Sequence, residues 1–115
     1  MVDATLQEVI RLNYPGAGAY KLTSEHIQNY AEKAGLKLSD RFSKSNQDKL
    51  FEVIFRDLGP DIFTENTLVD DSDNELLQSA YQAVTSDKFE PSQWRSPAFL
   101  TAEARLLLQE MTQNV

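Results

Sequence analysis

The run Asp70-Asp71-Ser72-Asp73-Asn74-Glu75 places oxygen-bearing side chains at six consecutive positions. That is the raw material of a hard-cation site, because calcium takes 6–8 oxygen ligands from a flexible cage. A helix–loop–helix calcium loop needs more than acidity. It wants ligands at alternate positions, a glycine at the sixth and a glutamate at the twelfth. Counted from Asp71, those positions hold Leu76 and Gln82; counted from Asp73, they hold Gln78 and Val84. Neither frame works. A simpler chemistry accounts for the same residues: Ser72, followed three residues later by Glu75, has the spacing of a capping box, and acids in a first helical turn suit the helix dipole.

The remaining reactive side chains are sparse. Asp71-Ser72 has the shape of the serine that carries a phosphopantetheine arm at a helix start in acyl carriers. Those carriers place an apolar residue directly after the serine, where this chain has Asp73, so a plain cap is preferred. Gly16-Ala17-Gly18 lacks the third glycine of a dinucleotide fingerprint and the Gly-Lys-Ser/Thr of a phosphate loop. It reads as a mobile loop between Tyr14 and Tyr20, open to use as a contact loop. His26, beside Glu25, falls in the first turn of an expected helix, where it should be exposed and where the dipole disfavours a cation. A general base needs a positioned partner, and the sequence places none. Glu103 and Glu110, seven residues apart, share a helix face with nothing apolar to raise a pKa.

Recognition chemistry is better represented than reaction chemistry. Phe89-Glu90-Pro91-Ser92-Gln93-Trp94-Arg95 puts two large aromatics, a proline and an arginine within seven residues of a connector. Trp, Tyr and Arg dominate interface hot spots. The competing role is structural, with Phe89 and Trp94 tucking the connector onto the core. The candidate partner-binding residues are therefore Asp70, Asp71, Asp73, Glu75, Trp94, Arg95, Tyr14 and Tyr20. No catalytic, cofactor-binding or metal-ligating residue is assigned.

The elements that must position these residues are helical. Asp3 caps a first helix to about Leu12, with Leu6, Val9 and Ile10 on one face. Thr23 or Ser24 caps a second from about Glu25 to Ala34, facing inward through Ile27, Tyr30, Ala31 and Ala34 and stopped by Gly35. Leu36-Lys37-Leu38 alternates for too few residues to make a strand. Ser45 and Asp48 open a third helix carrying Leu50, Phe51, Val53, Ile54, Phe55 and Leu58 before Gly59-Pro60. Those apolar residues cover more than one face, as in a helix buried among several neighbours. A fourth runs from Ser72 to about Thr85 through Leu76, Leu77, Ala80, Tyr81 and Val84. Ser96-Pro97 opens a fifth to about Met111, with Phe99, Ala102, Leu106, Leu107 and Met111 apolar. The expected fold is all-α: a single compact domain, 1–115, of about five helices around a central apolar helix at about 46–58.

Composition bounds the function. The chain has 115 residues, of which 41% are hydrophobic and 25% charged, proportions of an ordinary globular domain. It has no cysteine, which excludes disulfides, thiolate metal sites, cysteine nucleophiles and iron–sulfur clusters. One histidine excludes a multi-histidine metal site within the chain. No long apolar run or signal-like start is seen, so the simplest expectation is a soluble, cytoplasmic protein. The net charge of −7 argues against direct nucleic-acid binding. Its distribution is lopsided: eight bases meet eight acids up to Asp57, and three meet ten from Leu58 onward. Between Asp61 and Glu90, eight acids face only Lys88.

The expected function is a non-catalytic interaction domain: an adaptor, assembly factor or accessory subunit without cofactors. A sharper alternative is an acidic inhibitor or immunity-type protein that neutralises a basic enzyme, such as a nuclease, through segment 61–90. A third is an enzyme or ligand-binding domain using carboxylates and His26. The expected partner is another protein, for which the acidic excess favours a basic surface. No membrane contact is expected, and a homodimer through an apolar helix face stays open.

Overall fold

The computed structural model describes residues 3–13, 18, 20, 22–59, 71–85 and 101–113. They form five helices: α1 (Leu6–Leu12), α2 (Ser24–Tyr30), α3 (Lys44–Leu58), α4 (Asp71–Thr85) and α5 (Ala102–Gln113). The fold is all-α, as the apolar periodicity predicts, and no strand occurs among the described residues. Two compact units are present, Met1–Ile54 and Phe55–Val115. The division falls inside α3, where no proline, glycine or polar linker marks a boundary in the sequence.

In the first unit, α1 packs against α2. The cap of α1 is Thr5, not Asp3. The Thr5 hydroxyl accepts from the Glu8 amide at 3.2 Å, and the Thr5 amide donates to Glu8 Oε1 at 3.3 Å. The segment before α3 runs back alongside: Leu6 N donates to Asp40 O at 2.9 Å and Gln7 N to Leu38 O at 3.0 Å. Phe42 N donates to Ala4 O at 2.7 Å, and an isolated antiparallel bridge pairs Thr5 with Arg41. The amides that a helix start normally leaves orphaned are thus all used. Leu36-Lys37-Leu38 leads into a turn, with Asp40 N donating to Lys37 O at 2.9 Å and Lys37 N to Asp40 Oδ2 at 2.8 Å.

Helix α2 is capped by Thr23, whose hydroxyl accepts from His26 N at 3.1 Å. The helix ends at Tyr30, four residues before the expected Ala34, but helical bonding trails on: Ala31 N donates to Ile27 O at 3.0 Å, and Ala34 N is shared between Tyr30 O at 3.0 Å and Ala31 O at 3.1 Å. Gly35 still makes the stop. Its φ is +75°, its N–H donates to Glu32 O, and Leu36 N reaches back to Ala31 O, each at 2.9 Å. This pair of bonds is a Schellman motif, which satisfies the terminal carbonyls and needs a left-handed residue at that point.

Helix α3 starts one residue before Ser45, with Ser43 as cap: its hydroxyl accepts from Asn46 N at 3.3 Å and its carbonyl from Gln47 N at 2.8 Å. The buried residues are Gln47, Leu50, Phe51, Ile54 and Phe55, while Val53 and Leu58 are only half-buried. That is one stripe at helical spacing. The broad apolar coat expected from composition resolves into an ordinary amphipathic helix. Besides Leu50, Phe51 and Ile54, the first unit buries Leu6, Val9, Tyr20, Leu22, Ile27 and Phe42.

In the second unit, α4 packs against α5. Leu77 and Ala80 of α4 and Ala104, Leu108 and Met111 of α5 are buried. Phe55, on the last turn of α3, sets its ring edge-on to Tyr81 at 5.9 Å. Helix α4 begins at Asp71, so Ser72 lies inside its first turn. Helix α5 begins at Ala102 with Thr101 as cap, its hydroxyl accepting from Ala104 N at 3.1 Å. The inward face of α5 also differs from expectation. Ala102 and Leu106 point outward, Leu106 being 61% exposed, while Ala104 and Leu108 are the core residues. Three consecutive leucines, Leu106, Leu107 and Leu108, cannot all face one way on a helix, and the stripe set by Ala104 and Met111 selects Leu108. The expected Ser96-Pro97 start lies outside the described residues.

Candidate functional site

The acidic run is the first candidate. Residues 71–75 are already helical, rising along an axis, and a helix cannot curl these oxygens around one cation as a loop does. What the helix does instead is present Asp71 and Asp73 in its first turn and Glu75, which is exposed, just beyond. Acidic residues in a first helical turn suit the helix dipole. Asp70 and the side chains of Asp71 and Asp73 lie outside the described residues. So do Tyr14, Trp94 and Arg95. Of the eight candidate contact residues, the structure gives side-chain positions for Glu75 and Tyr20 only.

Tyr20 is not on a surface. It is 1% exposed, its ring stacks on Phe51 at 4.6 Å, and its hydroxyl donates to Asp48 Oδ1. Asp48 Oδ2 meets Lys44 Nζ at 3.3 Å, one helical turn earlier. A tyrosine beside a glycine-rich stretch resembles a contact residue from sequence; here it anchors the chain onto α3. Gly18 reinforces the anchor. Its φ is +72°, and a Cβ there would stand 2.3 Å from Gln47 Oε1 and 2.7 Å from Phe42 Cε2. Gln47, 3% exposed, donates through Nε2 to Phe42 O at 2.9 Å. Gly18 and Tyr20 are therefore packed against Gln47, Phe42 and Phe51 of the first unit. The signal for Gln47 was available: an amide at a stripe position, three and four residues before Leu50 and Phe51.

His26 departs from expectation too. It is half-buried, with its ring edge-on to Tyr30 at 6.5 Å. Burial pushes its pKa below the ordinary imidazole value, and the neighbouring Glu25 carboxylate opposes this. Its Nδ1 and the Ser24 hydroxyl are buried without a hydrogen-bond partner among the described residues. Among the described residues, no hydrogen bond joins either atom to a second reactive group, as a nucleophile–base pair would require. Glu103 and Glu110 are both exposed on α5, a solvated face. Among the described residues, no group of three His, Asp or Glu side chains is placed to hold a metal, and no helix is long and apolar enough to cross a membrane.

The electrostatics separate the two units sharply. Met1–Ile54 carries seven bases and seven acids, whereas Phe55–Val115 carries four bases and eleven acids. The entire net charge of −7 belongs to the second unit. Compared with protein-family models, characterised proteins and solved structures, the chain matches none.

Proposed function

We propose that this chain is a non-catalytic helical protein–protein interaction domain, an adaptor, assembly factor or accessory subunit, whose acidic second unit meets a basic surface on another protein. The observation that supports this reading is the charge partition: a neutral unit and one holding the whole net charge of −7. A one-signed field raises encounter rates with a basic partner and discourages acidic ones. The same partition supports a sharper form, in which the partner is a basic enzyme such as a nuclease and the acids stand in for its polyanionic substrate.

The test is affinity capture from the native host's lysate at low and high salt. Wild type is compared with a variant carrying Lys at Asp70, Asp71, Asp73 and Glu75, and with a milder one carrying Asn, Asn, Asn and Gln there. The milder variant matters because Lys in a first helical turn opposes the dipole and weakens α4 itself. Circular dichroism verifies that both variants keep their helix content. A basic partner held by wild type, released by salt and lost from both variants is the expected result. A partner retained by all three proteins at high salt overturns the acidic contact. Trp94→Ala then tests the apolar connector in its place.

A further inference from the structure

No further inference is drawn: the strongest candidate, the buried pair Ser24 Oγ and His26 Nδ1 on the first turn of α2, rests on one end of a seven-residue helix and a shifted imidazole, and nothing among the described residues shows what would occupy it.

Discussion

Two glycines of similar backbone conformation make opposite demands on a side chain. Gly35 (φ +75°) has no atom within 4 Å of a built Cβ, whereas Gly18 (φ +72°) has the Gln47 amide and the Phe42 ring inside 3 Å. At Gly35 only the left-handed backbone costs, about 1–2 kcal/mol for an ordinary residue and less for Asn. Gly35→Asn should therefore be milder than Gly35→Ala in urea melts. At Gly18 the overlap adds to the backbone cost, and Gln47 is held in place by its bond to Phe42 O. Both Ala and Asn at Gly18 should destabilise by about 2 kcal/mol or more. Equal effects of Asn at the two sites would refute the packing argument. Tyr20→Phe removes the donor to Asp48 and keeps the stack on Phe51. Its expected cost is about 1.5–3 kcal/mol, as for hydrogen bonds to charged groups.

His26 titrates at the same scale. Its native pKa lies below the unfolded value of about 6.5. As pH falls through that value, the unfolded chain takes up a proton that the native state resists, so stability declines with acidification. The decline begins near the unfolded pKa and levels off once pH is below the lowered native one. Denaturation of wild type and His26→Gln at several pH values between 7 and 5 measures the difference. The variant should lack this component of the slope. Identical slopes would show that the imidazole is as well solvated in the native protein as in the unfolded one.

At the scale of elements, local hydrogen bonding decides where each helix starts. Thr5 with Glu8 forms a reciprocal capping box, and Thr23, Ser43 and Thr101 each accept from an amide three residues on. Thr5→Ala should cost about 1 kcal/mol, and Glu8→Ala less, since Glu8 serves only the Thr5 amide and hydroxyl. The number and type of helices were legible because apolar spacing is periodic over many residues. The caps were less so. Thr5 and Ser43 lie within two residues of Asp3 and Ser45, and sequence alone does not separate adjacent acceptors until the backbone selects one. The face of α5 was illegible for a different reason: consecutive leucines carry no phase. On the candidate site, the burial of Tyr20 was not legible, since aromatic character does not distinguish an anchor from a contact. The half-burial of His26 was not legible either, although its ring neighbour Tyr30 lies only one turn along α2.

For the whole molecule, the telling pattern is that charge and architecture divide at the same place. The sequence showed a neutral first half and an acidic second half. It showed no boundary between structural units, because α3 runs uninterrupted across residues 54 and 55. Continuous helices hide such divisions, since their spacing of apolar residues is the same on either side. Electrostatic association predicts that raising salt from about 0.05 to 0.5 M weakens partner capture, because the screening length falls from about 14 to 4 Å. A partner bound chiefly through apolar residues would be held as well or better.

The charge partition has a further consequence that needs no partner. A body with balanced charges, such as the first unit, has little long-range repulsion to keep copies of itself apart, and proteins near zero net charge are prone to associate. The second unit supplies that repulsion for the whole chain, in the manner of a covalently attached solubiliser. Light scattering should show a positive second virial coefficient at neutral pH, falling with salt and as the solution approaches the isoelectric point near 4.6. Neutralising the acids of α4 should lower it steeply, because repulsion between two copies grows with the square of their net charge. The acidic half thus sets how crowded a solution of this protein can become before its molecules begin to meet.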